Sequence, residues 1–276
     1  MKTDMVSVSN RILHSRGNLV KINFTVNQNE LEAFVPDDQL FVAVKDILLN
    51  REYEYLSDFE LVNFRDKLVV DAGAHVGLFS LVASNFAKEV VSIEPHPVNF
   101  NLLRINTIIN NAENIVSLNK ALWYEEASLN LYEGTHTASH SVIQQTTSTK
   151  KYPVNSVTLE EIIDKFGKVE LLKMDIEGGE FEIFRRINED ILGNIKCICA
   201  EIHLDKGDVN QIVDSLTFCG FKVKVFHPPL MKKLAGYQIK VKNLTGLKIW
   251  RKLVYSLSSL FRMEDKSLMI LFARGE

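Results

Sequence analysis

Cysteine is scarce, with Cys197, Cys199 and Cys219 the only three in 276 residues. An odd number with no further partner excludes the disulfide framework that holds small secreted domains together. Cys197 and Cys199 stand two apart in "IKCICAEIH" and so share one face of a strand. No partners at zinc-ligand spacing accompany them, and they read as small buried hydrophobes. No stretch approaches the ~18 uninterrupted apolar residues of a membrane span. The opening "MKTDMVSVSNRILHSRGN" lacks the apolar core of a signal peptide, so a cytoplasmic protein is expected. The G-x-G-x-x-G fingerprint of dinucleotide-binding turns is also missing, which disfavours a nicotinamide-dependent oxidoreductase. One absence is local. The stretch from Phe221 to Arg262 holds ten of the 32 Lys and Arg and none of the 35 Asp and Glu, an asymmetry hidden by the net charge of −3. It reads either as a solvated basic surface or as a region that meets something anionic, an anionic substrate or a membrane surface touched from the cytoplasmic side.

What is present is a hydrophobic fraction of 46% and a charged fraction of 24%, ordinary for a globular protein with one large domain and additions. Seven apolar runs recur after Lys67: "LVVDAG", "EVVSIEP", "NIVSLNKALW", "VELLKMDIEG", "IKCICAEIHL", "FKVKVF" and "SLMILFARG". Between them lie helical segments such as "VGLFSLVASNFA" and "HPVNFNLLRINTIINNA". In the second, Phe100, Leu103, Ile105, Ile108 and Ile109 fall near one face, Pro97 suits the first turn, and Asn106, Asn110 and Asn111 are expected on the exposed side and at the end. Strands alternating with helices predict an α/β fold, a mostly parallel seven-stranded sheet with helices on both faces. "FKVKVF" alternates and is expected at an edge. Some 40 residues separate it from the last strand, and there Leu247, Trp250, Val254, Leu257 and Phe261 fall at helical spacing. Residues 1–66 read as an N-terminal cap of short antiparallel strands, followed by a helix over "DQLFVAVKDILL" behind a capping acid. Residues 67–276 form the main domain, with a basic insert at about 227–266. The polar "QQTTSTK" at 144–150 reads as a loop.

In an open α/β sheet, ligands bind beyond the carboxyl ends of the strands. "LVVDAGAHVGLFS" ends such a strand with Asp71 ahead of Gly73 and Gly77, whose missing side chains allow close approach. An acid there repels pyrophosphate and suits a cationic group such as an amino-acid ammonium. Glu94 closes the next strand in "SIEP", where a carboxylate can accept hydrogen bonds from both hydroxyls of a ribose. A ligand with a ribose, a cationic amino-acid end and no phosphate is S-adenosylmethionine. Singly, Asp71 reads as a helix cap and Glu94 as surface charge; two acids at successive strand ends favour the ligand.

In order along the chain, "VVDAGAHVGLFSLVAS", "VVSIEPHPVNFNLLRINTIINNA", "NKALWYEEASLNLYEG", "VTLEEII" and "VELLKMDIEGGEFEIF" resemble the FkbM family of S-adenosylmethionine-dependent methyltransferases, over roughly Leu68 to His203. The resemblance implies a Rossmann-like class I methyltransferase fold, usually acting on oxygen, often of sugar-containing or natural-product substrates. It implies a cofactor loop of Asp71, Gly73, Ala74, His75 and Gly77, with Glu94 and Asn99 near the ribose and adenosine, and Ala121 and Leu122 near the adenine. His75 stands where many such loops carry a small polar residue; it either meets the cofactor carboxylate or caps the helix.

On the acceptor side, "LLKMDIEGGE" sets Asp175 at a strand end, and "CAEIHL" sets Glu201 and His203 at the end of the next. Methyl transfer to a hydroxyl needs alignment and a base where the proton must leave. Asp175 or His203 is the expected base, with Glu201 beside them. The same three side chains make an acceptable ligand set for a divalent cation, but three such residues do not establish a metal and none is assigned. Lys173 reads as an ion-pair partner tying strand to helix, and Glu180 as a first-turn helix acid. His136 and His140 sit in a loop, either approaching the mouth or solvent-exposed. The expected activity is O-methylation of a glycan or other small molecule. Two other readings stand beside it: a cofactor-binding interaction protein without turnover, and an RNA methyltransferase using the basic segment. No RNA-binding module accompanies that segment, so nucleic acid is not the expected partner.

Overall fold

The computed structural model of the protein describes residues 18–134, 139–143, 150–232, 237–243 and 267–275. The helical pattern around Trp250 and Leu253, His136 and most of the 144–150 loop lie outside these residues, and so does the larger part of the acid-free segment.

The chain opens with a hairpin of β1 (Leu19–Val26) and β2 (Asn29–Pro36), paired from Leu19↔Pro36 to Val26↔Asn29. Its two-residue turn, Asn27 and Gln28, holds φ of 52° and 83°, the doubly left-handed form that suits the twist of a tight hairpin. A short helix, Leu40–Ala43, runs on into π-helical Val44–Leu49. The expected capping acid is not there. The N-cap is Gln39 with no side-chain cap, and Asp37 and Asp38 lie in the preceding turn, which backbone bonds from Asp37 to Asn18 and from Gln39 to Pro36 close.

In chain order the further strands are β3 (Leu68–Ala72), β4 (Glu89–Ile93), β5 (Ile115–Leu118), β6 (Ala121–Leu122), β7 (Ser128–Tyr132), β8 (Lys151–Val157), β9 (Val169–Met174), β10 (Ile195–His203), β11 (Phe221–Phe226), β12 (Ile239–Asn243) and β13 (Leu268–Gly275). Seven form the main sheet in the order β11–β13–β10–β9–β3–β4–β5. The four pairings from β10 through β9, β3 and β4 to β5 are parallel, and β13 runs antiparallel to both β10 and β11. This is the class I methyltransferase sheet, and each of the seven apolar runs supplies one strand. "FKVKVF" lies at the edge, as its alternation predicts. The chain moves outward from β3 to β5, then returns to β9 on the other side of β3. That reversal opens the crevice in which such sheets hold ligands.

Successive residues of β3 serve opposite faces. Val69 belongs to a core shared with Ile22, Phe24, Phe79, Leu102, Cys197, Cys199 and Phe272. Val70 belongs to one shared with Ile162, Leu172, Phe181, Ile198, Ile212 and Leu216. The cap and the helices Leu78–Ala83 and Pro97–Ile109 thus cover one face; Leu159–Phe166, Glu180–Arg186 and Val209–Phe218 cover the other. Thr158 and Glu161 begin one of these helices with a reciprocal capping box. Cys197 and Cys199 are buried in the core, as expected.

Asn106 corrects the reading of the Pro97–Ile109 helix, whereas Asn110 caps its end as expected. Asn106 is fully buried, not exposed; its Oδ1 accepts the Phe34 N–H at 2.8 Å and its Nδ2 donates to Phe34 O at 3.0 Å and Val76 O at 2.8 Å. Asn110 makes the same pair of bonds to Glu32, at 2.9 and 2.7 Å. Four helical residues rise about 6.0 Å and two strand residues about 6.8 Å, so i, i+4 amides match alternate backbone groups of the β2 edge. The two amides satisfy a strand edge that would otherwise be unpaired, Asn106 fully buried and Asn110 half-buried. At the other edge β12 pairs antiparallel with β1, so the segment between β11 and β13 returns to complete a three-stranded cap. Among the described residues no helix is long and apolar enough to cross a membrane.

Candidate active site

At the end of β3 the chain turns through Gly73 (φ 74°) and Gly77 (φ 84°), a region that penalises any Cβ. A Cβ on Gly73 would overlap the carbonyl oxygen of Asp175, and one on Gly77 would overlap Leu103. The glycines therefore let the turn pack against the end of β9 and the Pro97–Ile109 helix. The N–H groups of Gly73 and Ala74 both donate to Ile93 O at 3.0 Å, fastening the turn to β4.

Asp71 does not reach the cleft. It is fully buried, its Oδ2 accepting the Ser80 hydroxyl at 2.6 Å and its Oδ1 lying 3.2 Å from Lys173 Nζ. The ammonium it receives is that of Lys173, because a carboxylate removed from water needs a charge partner within the protein. Lys173 also donates to Gly73 O at 3.0 Å and lies 3.8 Å from Asp175 Oδ2. Burial pulls its pKa down, but Asp71 and then Asp175 outweigh that and hold it above the usual lysine value.

The cleft beyond the strand ends spans about 570 Å³, part of it open to solvent. Gly73, His75, Glu94 and Asn99 line it from the ends of β3 and β4, Ala121, Leu122, Leu131 and Val142 add an apolar flank, and Asp175, Ile176 and Glu177 line it from the end of β9 as a second wall beside the first. Five of the expected cofactor residues, Gly73, His75, Glu94, Asn99 and Leu122, thus share one cavity, while Asp71, Ala74 and Gly77 support it from behind. Glu94 is held by the chain itself: Oε2 accepts the His75 N–H and Oε1 the His96 N–H, both at 2.8 Å. Burial pushes its carboxyl up to about 8, against the downward pull of those two donors. His75 sits at φ 51°, and burial pushes its imidazole down to about 4, so the ring is neutral. Its Nε2 is buried without a hydrogen-bond partner. His140 lines the cleft, stacked on His96 with ring centroids 4.0 Å apart, which settles one of the two loop histidines.

Behind the Asp175 wall stands a buried residue that sequence reasoning missed. Tyr53, from the cap, sets its hydroxyl 3.0 Å from Asp175 Oδ2 and 3.2 Å from Glu201 Oε2. One phenol proton cannot serve two ionised carboxylates. Burial, followed by the charge of Asp175, holds Glu201 well above the usual carboxylate range. Glu201 therefore keeps its proton and donates to the phenol oxygen, and the phenol proton goes to Asp175. His203 Nε2 lies 3.2 Å from Glu177 Oε2, and its Nδ1 3.6 Å from Glu180 Oε1. Burial opposes the charged ring, but Glu177 and Glu180 outweigh it and push its pKa up to about 12. An imidazolium has no lone pair for a proton, and neither His203 nor Glu201 lines the cleft. Of the expected bases, Asp175 alone stands at the cavity with an oxygen, Oδ1, outside the Tyr53 and Lys173 contacts. The three groups expected to converge do not: Asp175, Glu177 and His203 bring ligand-type atoms within 4.8 Å of one another, with Glu177 in the place expected for Glu201.

Residues 71–223 match the family model described as the methyltransferase FkbM domain. The chain belongs to the FkbM methyltransferase family. A curated relative, Methyltransferase 1 of Beauveria bassiana (strain ARSEF 2860), is 25% identical over 187 residues, covering 59% of this chain and 75% of its own. Among solved structures, a precorrin-6y C5,15-methyltransferase of Geobacter metallireducens GS-15 is 14% identical with a TM-score of 0.40, over 78% of this chain and 84% of its own. A methyltransferase FkbM of Methylobacillus flagellatus KT is 17% identical with a TM-score of 0.37, over 63% and 43%. The FkbM match begins at Asp71 and ends within β11. Glu94, Asp175 and His203 lie inside it, whereas Tyr53 lies in the cap outside it.

Proposed function

We propose that this FkbM-family protein is an S-adenosylmethionine-dependent O-methyltransferase acting on a hydroxyl of a glycan or other small molecule. The observation that carries the reading is one cleft lined by two differently held acids, Glu94 fixed by backbone N–H groups and Asp175 fixed by a phenol. The residues fit the cofactor. Glu94 keeps lone pairs beyond its two backbone donors and suits a pair of ribose hydroxyls. The unpartnered Nε2 of His75 suits the amino-acid end, and Ala121 and Leu122 offer an apolar flank to the adenine. When bound, S-adenosylmethionine supplies an electrophilic methyl group on a sulfonium.

The remaining work falls to the chain. Asp175 takes the acceptor's hydroxyl proton at Oδ1, while Tyr53 and Lys173 hold Oδ2 and fix the carboxylate's orientation. Glu201, protonated, keeps the phenol proton directed at Asp175 and adds no second negative charge. Asp71 and Lys173 anchor the glycine turn so that the two walls keep their spacing.

The test is a transfer assay with methyl-labelled S-adenosylmethionine against a panel of envelope glycans and small hydroxylated acceptors. Label transferred to an oxygen supports the reading. Label on nitrogen or carbon only, or cofactor binding with no transfer to any acceptor class, contradicts it.

A further inference from the structure

We propose that Asp175, Glu177 and His203 form a binding site for one divalent, six-coordinate cation, best suited to Mn2+, at the acceptor end of the cleft. Nε2 of His203 and Oε2 of Glu177 lie 3.2 Å apart, and one ligand-type atom from each of the three side chains falls within 4.8 Å of the others. Two ligands at right angles on bonds of about 2.2 Å stand about 3.1 Å apart, so the His203–Glu177 spacing is that of adjacent corners of an octahedron. The cation takes the place of the proton on Nε2, which leaves to solvent.

The residue behind the imidazole supports this independently. Glu180 is fully buried; its Oε1 accepts the Ile176 N–H at 2.9 Å and lies 3.6 Å from Nδ1 of His203, and both its Oε2 and that Nδ1 are buried without a hydrogen-bond partner. A carboxylate behind the far nitrogen of an imidazole is the arrangement that fixes a metal-binding histidine's tautomer and ring orientation. A surface ion pair needs no such backing. Charge balance points the same way. Asp175, Glu177 and Glu180 gather around two cations, His203 and Lys173, and Lys173 lies closer to Asp71 than to Asp175. Two carboxylates with one imidazole suit Mn2+ better than the all-oxygen preference of Mg2+ or the sulfur and nitrogen preference of zinc sites. Asp175 and Glu177 line the cleft, so the open coordination positions are reached from it. A hydroxyl oxygen bound there loses its proton more readily; with the cation in place Asp175 serves as ligand in place of base and the proton passes to solvent, which fits acceptors that offer two neighbouring oxygens, such as a vicinal diol.

The site rests on side chains alone; only its use in methyl transfer rests on the proposed function. The experiment is therefore run on the full chain without cofactor or acceptor: Mn2+ titration followed by the electron paramagnetic resonance signal of the free ion. The expected result is loss of free signal until one equivalent is bound. Glu177→Gln and His203→Gln should each weaken binding by about tenfold or more, and Glu180→Gln by at least about tenfold through loss of the supporting contact. No binding to the unaltered protein at millimolar Mn2+, or binding unchanged in Glu177→Gln and His203→Gln, overturns the proposal. The first outcome needs no variant to fold, and either leaves cofactor binding to be judged by itself.

Discussion

Along the β3–β4 side of the cleft the polar groups are fastened by backbone. Glu94 accepts the N–H groups of His75 and His96, and Gly73 and Ala74 donate to Ile93 O. Along the β9–β10 side they are fastened by other side chains: Asp175 by Tyr53 and Lys173, Glu201 by Tyr53, His203 by Glu177 and Glu180. Backbone donors persist whatever side chain a residue carries, so the first wall is preset by the fold. The second wall depends on the identity of each partner, one of them contributed by the cap. On the proposed function, binding of the cofactor falls to the first arrangement and adaptation to a particular acceptor to the second.

Substitutions can break that comparison, and Asp175→Asn should have the largest effect. It should lower methyl transfer by about 10²–10⁴-fold while changing cofactor affinity by less than about threefold. Equal losses in both, read from steady-state kinetics beside a binding titration, would merge the walls into one functional unit. The next effect is of pH on the first wall. Glu94 has a pKa raised by burial from 4.5 to about 8, so its proton stabilises the free protein fully below pH 4.5, and that contribution is lost as pH rises through about 8. The ionised carboxylate is the better acceptor for two ribose hydroxyls. Cofactor affinity should therefore climb by up to about tenfold per pH unit toward pH 8 and level off above it, with proton uptake by buffer detectable calorimetrically. A flat profile from pH 6 to 9 would mean that Glu94 is already ionised or does not touch the ligand. Tyr53→Phe should have the smallest effect. The ring keeps its edge contact with Phe79, 5.9 Å between centroids, and only the hydroxyl is lost. Transfer should fall about tenfold at unchanged cofactor affinity, the scale of one hydrogen bond to a charged group. The pH profile of the transfer rate should shift as well, because Asp175 and Glu201 lose their mediator.

The same division governs what was legible in the sequence. The main sheet could be read because strands buried on both faces appear as unbroken apolar runs, and Gly73, His75, Glu94, Asn99 and Leu122 follow those strands at short spacing. The second wall was visible only as acids and a histidine at strand ends. Their partners are set by tertiary contacts: Tyr53 lies 122 positions from Asp175 and sits in "EYEYLSDFE", where nothing periodic marks it out. Asp71 misled for a related reason. An acid at a strand end suggests a ligand contact, and only the side chain facing it across β3 and β9, Lys173, shows that its charge is already matched. Asn106 looked solvent-facing because its type is polar; its burial depends on the edge of β2, which helical periodicity cannot report.

The central claim, that the backbone-held wall carries the cofactor, is tested most directly by calorimetric titration of S-adenosylhomocysteine into the unaltered protein and Glu94→Ala. The account predicts one site in the unaltered chain and affinity lower by about 10–100-fold in the variant, the 1.5–3 kcal/mol expected for hydrogen bonds to a charged group. Equal affinity in the two proteins, or binding of a nicotinamide dinucleotide in place of S-adenosylhomocysteine, would contradict it.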